Sequence, residues 1–217
     1  MQANKYPAIS DKRTWSAGVS FLKKNDKTMR KIIERLGGED TWAISMEYLE
    51  KDHYVSLVSS IIYQQISTSA GDSILRRLRK AYNGRIPSPK VFLSAKEKKI
   101  REAGISPQKY RYLKDLCQRI ENGRLEPGRF YKMDDEDIIN ELDEVKGIGR
   151  WTAEMYLIRT LGRADVLPVD DLGLRKAIQS AYHLREQPKK EGILRIAQRW
   201  RPYRTIATIF LWRSMNP

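Results

Sequence analysis

Apolar residues recur with a helical period along most of the chain. Met29, Ile32, Ile33 and Leu36 fall at i, i+3, i+4 and i+7 on one helical face, and Gly37-Gly38 ends that run. Val55, Val58, Ile61 and Ile62 form the buried stripe of a helix expected over 53–67, followed by a helix over 70–82 that Asn83-Gly84 closes. Residues 85–89 read as a Pro-rich loop. Short helices are expected over 89–93 and 96–103, and a longer one over 108–122 that stops at Gly123. Asp134-Asp135-Glu136 opens the next helix, its acids complementing the positive end of the helix dipole, with Ile138, Ile139 and Leu142 as the apolar face. A further helix starts near Arg150 and carries Trp151, Met155, Leu157 and Ile158. An extended connection over 165–171 precedes helices over 172–182, 192–200 and 203–215. No useful two-residue alternation occurs, and Val166-Leu167 is too short for a strand.

The fold expected is therefore all-α. We read 1–217 as one compact unit made of two helical lobes around a cleft. The lobes are approximately 30–125 and 130–217, the second taking in the N-terminal segment.

Charge adds a class of partner. The 217 residues hold 41 Lys and Arg against 27 Asp and Glu, a net charge of +14. A field of that sign favours polyanions and speeds their encounter. The single cysteine, Cys117, excludes an intramolecular disulfide and a cluster held by several cysteines, and its helical context marks it as a core residue. Two histidines, His53 and His183, form no metal motif. The chain shows neither an apolar run of membrane-spanning length nor a signal-peptide core, so no membrane association and no secretion are expected.

The most informative stretch is Leu142–Ala153, in which Lys146-Gly147-Ile148-Gly149-Arg150 separates two helices. Two glycines around one apolar residue permit a sharp turn and close approach of another backbone. Amides at Gly149 and in the following first turn, which includes Thr152, make an anion site, with Lys146 and Arg150 adding positive charge. Such a hairpin grips a phosphate without reading sequence. Ile148 would plug between the helices.

Val145–Ala153, followed by Asp165–Leu172, resembles the helix-hairpin-helix DNA glycosylase superfamily, and within it the DNA-3-methyladenine glycosylase II (alkylbase glycosylase) branch. Ile61–Ser67 resembles that branch's N-terminal DNA-contacting helix end, Ala103–Lys109 its Gly-Leu-Ser…Lys turn, and Trp200–Arg204 with Trp212 its C-terminal helix pair. The likeness covers about 52–212, and no extra N-terminal β domain is expected ahead of it.

The resemblance implies base excision repair of double-stranded DNA carrying alkylated bases of the 3-methyladenine or 7-methylguanine type. It assigns the catalytic carboxylate to Asp171, which follows Trp151 by 20 positions. Asp170 stands beside it as an alternative or helper, and either aspartate could simply cap the helix that begins at Leu172. Relatives that also cut the backbone carry a lysine nucleophile where this chain has Trp151, which implies a monofunctional hydrolase. Trp151 and Trp212 are candidate walls for a flipped cationic base, with Met155 standing where some relatives have an aromatic residue. Gln65, with Gln64, is the candidate wedge that fills the space left by the flipped base. Lys109, Lys146, Gly147, Gly149, Arg150 and Thr152 are the candidate phosphate contacts.

No cofactor, metal or iron–sulfur cluster is expected, although a monovalent cation at the hairpin carbonyls is compatible with the resemblance. A monomer is expected, cytoplasmic and nucleoid-associated in a prokaryote or nuclear in a eukaryote. Two other readings stay open: a hairpin scaffold that binds DNA without chemistry, and a glycosylase for deaminated or etheno-adenine bases.

Overall fold

The computed structural model describes residues 6–37, 41–47, 49–50 and 52–215. Among them are thirteen α-helices and no strand; the only β pairing is an isolated bridge between Ala8 and Arg163. The chain divides into two compact units, one made of 1–49 with 157–217 and the other of 50–156.

The first unit is built on α1 (Lys12–Asn25), α2 (Lys27–Arg35), α3 (Trp42–Glu47), α11 (Leu172–Ala181), α12 (Lys190–Ala197) and α13 (Arg204–Met215). Its core joins Trp15, Val19 and Leu22 of α1 to Ile32 and Ile33 of α2, Leu174 and Ile178 of α11, and Ile206, Ile209 and Phe210 of α13. Gly18 lets α1 and α13 meet closely: a Cβ there would sit 2.4 Å from Ile206 Cδ1. Asp26 is the polar hub of this unit. It is 3% exposed and caps α2 through the amides of Thr28 and Met29, while Oδ2 accepts Tyr182 Oη at 2.5 Å and Trp200 Nε1 at 3.0 Å. Four donors on one buried carboxylate replace the water it gives up.

The second unit contains α4 (His53–Tyr63), α5 (Thr68–Ala81), α6 (Pro89–Ser94), α7 (Glu97–Arg101), α8 (Pro107–Glu121), a 3-10 turn (Pro127–Lys132), α9 (Asp135–Asp143) and the start of α10 (Arg150–Arg159). Side-chain caps set most of these starts: Asp52 for α4, Ser67 for α5, Ser88 for α6 and Ser106 for α8. Cys117 is buried, and burial pushes its thiol up to about 11, so it behaves as a core residue.

The structure departs from the sequence expectations in three places. The helix expected over 53–67 ends at Tyr63, because Ser67 caps a new helix and Gln65 is left-handed, with φ 56°. Helix α12 spans 190–197, and 198–200 tighten into a 3-10 turn. The division into units falls neither at 30 nor near 125–130. The hairpin goes with 50–156, where the Asp115 carboxylate accepts the Lys146 amide (3.0 Å) and Arg119 pairs with Glu144 (3.0 Å).

Candidate nucleic-acid and catalytic elements

The hairpin joins α9 to α10. Ile148 is 2% exposed, as expected of a plug. The two glycines have different reasons to be there. Gly147 has φ +84°, and a Cβ on it would lie 2.2 Å from Tyr112 Cδ2, so both backbone and packing require glycine. Gly149 has neither constraint: it is exposed, its φ is not left-handed, and the nearest atom to an added Cβ is Asp143 Oδ1 at 4.0 Å. The fold itself does not demand glycine at 149, whereas close approach of an outside group would.

The basic side chains of this region are engaged to different degrees. Arg150 is clamped: NH1 and NH2 pair with the two oxygens of Glu136 (2.9 and 2.5 Å), and Nε donates to Glu154 at 3.2 Å. The hydrogen bond from Arg150 holds the Glu136 carboxyl below its ordinary range. Lys109 donates from Nζ to the Ile62 carbonyl at 2.6 Å, closing the last turn of α4, and burial lowers its pKa. It serves the helix end that carries the glutamines. Lys146 is exposed, and its own amide is held by Asp115. Thr152 is 7% exposed, in the first turn of α10.

Gln64 and Gln65 separate in role. Gln64 reaches across to the hairpin and donates Nε2 to the Gly147 carbonyl at 2.6 Å. Gln65 is exposed and left-handed, a backbone state that costs a side-chain-bearing residue about 1–2 kcal/mol. Ile66 beside it is 36% exposed. A strained, solvent-facing residue between two capped helices is a functional candidate in its own right. In α10, Trp151 is 44% exposed and Met155 is 7% exposed.

The carboxylates belong to the other unit. Residues 165–171 run from the Ala8–Arg163 bridge to α11 and are pinned to the first turn of α13. Arg204 pairs with both oxygens of Asp165 (2.7 and 3.0 Å) and with its carbonyl (2.6 Å), and the Val166 amide donates to Thr205 Oγ1 at 2.9 Å. Asp171 then caps α11, with Oδ1 accepting the Leu174 amide at 2.6 Å. Two turns along α13, Trp212 donates its indole N–H to the same Oδ1 at 2.9 Å. Asp170 faces elsewhere, toward Arg175 NH2 at 3.0 Å, and Arg175 also holds the Val169 carbonyl at 3.0 Å. The two adjacent aspartates, equivalent by type, are thus sorted by geometry. Asp171 takes the helix dipole and the indole; Asp170 makes an exposed ion pair.

Sequence reasoning paired Trp212 with a base and did not foresee its bond to Asp171. It also missed Glu136 and Glu154 as partners of Arg150, and Arg204 as the anchor of the 165–171 segment. Glu154 stands four residues after Arg150 on one helix, a spacing that could have signalled the first of these.

Some hairpin carbonyls that could ligate a monovalent cation already have partners: Gly147 accepts Gln64, Val145 accepts the Ile148 amide and Gly149 the Ala153 amide. A carbonyl oxygen has a second lone pair, so these bonds are compatible with a cation at the hairpin. Among the described residues, no group of three or more His, Cys, Asp or Glu is placed to hold a metal, and no helix is long and apolar enough to cross a membrane.

The model of the HhH-GPD superfamily of base excision DNA repair proteins matches residues 58–202. DNA-3-methyladenine glycosylase 1 of Schizosaccharomyces pombe is 32% identical over 198 residues, covering 90% of this chain and 84% of its own length. Two solved structures are also similar. The S. pombe 3-methyladenine DNA glycosylase in complex with abasic DNA has TM-score 0.78 and 28% identity, covering 91% of this chain and 95% of its own. The DNA-3-methyladenine glycosidase of Bacillus halodurans has TM-score 0.71 and 29% identity, covering 87% and 89%.

Proposed function

Because this chain belongs to the HhH-GPD superfamily of base excision DNA repair proteins, we propose that it flips alkylated bases out of double-stranded DNA and hydrolyses their N-glycosidic bond, with Asp171 as the essential carboxylate. The observation that carries the assignment is the double hydrogen bond on Asp171 Oδ1, from the Leu174 amide and the Trp212 indole. Both donors fix the direction of the carboxylate before the substrate arrives.

Breaking the bond between the sugar's anomeric carbon and the base nitrogen develops oxocarbenium character on the sugar. A fixed, ionised carboxylate stabilises that charge and orients or deprotonates the attacking water. A 3-methyladenine or 7-methylguanine base is cationic before it leaves, so it departs without a general acid. That suits a chain in which no histidine accompanies Asp171. Trp151 stands where a lyase would carry lysine, which supports hydrolysis without strand cleavage. Its exposed ring suits stacking on a flipped, cationic base. Gln65 serves as the wedge. The amides at Gly149 and in the first turn of α10 take a phosphate, with Lys146 as the nearby cation. The reaction needs no cofactor, and the protein acts as a monomer in whichever compartment holds the genome.

The test is base release from randomly methylated duplex DNA by the wild type, Asp171→Asn and Asp170→Asn, with DNA binding followed in parallel. Release of 3-methyladenine or 7-methylguanine by the wild type and Asp170→Asn, and none by DNA-bound Asp171→Asn, is the expected result. Loss in Asp170→Asn alone would move the acid by one residue. A wild type that binds DNA and releases no methylated base would overturn the alkylbase reading. Release of hypoxanthine or ethenoadenine instead would redirect it to another lesion.

A further inference from the structure

Gly173 lies in the first turn of α11, two residues after the carboxylate, and it is exposed. Its φ is not left-handed, so the backbone does not require glycine. Glycine is among the poorest residues for a helix, and any ordinary side chain would favour α11. The local sequence therefore carries a stability cost with no backbone reason. Packing supplies one: a Cβ at 173 would lie 3.1 Å from Asp171 Oδ1 and 3.5 Å from both Cδ1 and Nε1 of Trp212. Those contacts fall on the indole nitrogen that donates the hydrogen bond, on its neighbour Cδ1, and on the oxygen that accepts it.

We propose that Gly173 is a positioning residue, whose missing side chain lets Trp212 and Asp171 keep their hydrogen bond and so fixes the direction of the carboxylate. This rests on the reading of Asp171 given above. A methyl group at 3.1 Å forces the carboxylate or the indole to give by a few tenths of an ångström. The 2.9 Å bond between them is what gives, since the same oxygen is also held at 2.6 Å by the helix amide. Gly173 touches no reacting atom; it acts through Asp171.

The test compares the full-length wild type with Gly173→Ala, alone and combined with Trp212→Phe. Three readouts separate positioning from a structural role. Thermal unfolding should show a Tm close to the wild type, because the helix preference of alanine offsets the weakened hydrogen bond. The ¹H–¹⁵N indole resonance of Trp212, assigned by its loss in Trp212→Phe, should shift in Gly173→Ala. Single-turnover release of methylated bases should fall about ten-fold at saturating enzyme, with half-saturation changed less than two-fold, since small misplacements act on the chemical step. In the Trp212→Phe background the alanine should cost much less, because the bond it disturbs is already gone.

An unmoved indole resonance overturns the proposal whether or not the protein releases bases. A shifted resonance with undiminished release overturns it as well. If the wild type releases no base, the glycosylase reading fails, and the resonance alone then decides whether Gly173 holds the two side chains in register.

Discussion

The indole N–H of Trp212 and the amide of Leu174 converge on one oxygen of Asp171, at 2.9 and 2.6 Å. The carboxylate is thereby tied to two helices at once, the start of α11 and the last turns of α13. Trp212→Phe keeps the ring and removes the donor. We expect a loss of about 1–2 kcal/mol in stability from the missing hydrogen bond to a carboxylate, and a fall of about ten-fold in single-turnover base release. Asp171→Asn should behave differently. Asparagine caps a helix as well as aspartate does, so its unfolding free energy should stay within about 0.5 kcal/mol of wild type while release disappears. Urea denaturation alongside the release assay checks both.

Gln65 offers a second separation of fold from function. Its φ of 56° is costly for a side-chain-bearing residue and free for glycine. Gln65→Gly should leave the protein as stable as wild type or more so, by about 0.5–1 kcal/mol. If Gln65 is the wedge, the same change should reduce release from duplex DNA while sparing it from a lesion opposite an abasic gap, where no partner base must be displaced. Equal loss on both substrates would show that it has another role.

The hairpin glycines should respond in opposite ways. Gly147→Ala meets Tyr112 and a left-handed backbone, so it should lower Tm strongly, at a cost of more than about 1 kcal/mol. Gly149→Ala meets nothing closer than 4.0 Å and should leave Tm near wild type. Its cost should instead appear in DNA affinity, because the added methyl stands where a phosphate must approach. Unchanged binding by Gly149→Ala would remove the phosphate from that turn.

Lys146 and Arg150 flank the same turn with unequal freedom. Arg150 is already neutralised by Glu136 and Glu154, whereas Lys146 is exposed. Lys146→Ala should therefore flatten the slope of log affinity against log salt by about 0.9, the counterion release of one phosphate contact, and Arg150→Ala by less. Titrations at several salt concentrations measure both slopes, and a larger change for Arg150 would mean that DNA displaces the glutamates.

His53 sets a pH dependence of stability. Burial lowers its pKa below 6.5, with Asp52 opposing in part, and its Nδ1 shares a hydrogen bond with the Tyr156 hydroxyl. The fold prefers the neutral imidazole. As pH falls below 6.5 the unfolded chain takes up a proton that the folded chain resists, so stability drops until the folded pKa is reached. The decline in unfolding free energy between pH 7.5 and 5 should be smaller in His53→Gln than in the wild type. Identical declines would show that the folded histidine titrates normally.

Much of this protein was legible in its sequence. Period and capping residues are local signals, so Gly37, Gly123 and the acids at 134–136 marked helix ends or starts close to where they occur. Lys146-Gly147-Ile148-Gly149 announced the hairpin because a left-handed turn residue, here Gly147, favours glycine whatever surrounds it, and the single cysteine excluded a cysteine-held cluster by count alone. Tertiary structure decided the rest. Asp170 and Asp171 are the same residue type side by side, and only the positions of Arg175 and Trp212, the latter 41 residues away, give them different tasks. Lys109 and Arg150 look like phosphate ligands in sequence, yet the Ile62 carbonyl and Glu136 hold them, partners brought near by folding over 47 and 14 positions. A helical period records which face is buried and carries no information about which distant side chain meets a given polar atom there. That pairing depends on the packing of whole helices, so it could be seen only in three dimensions.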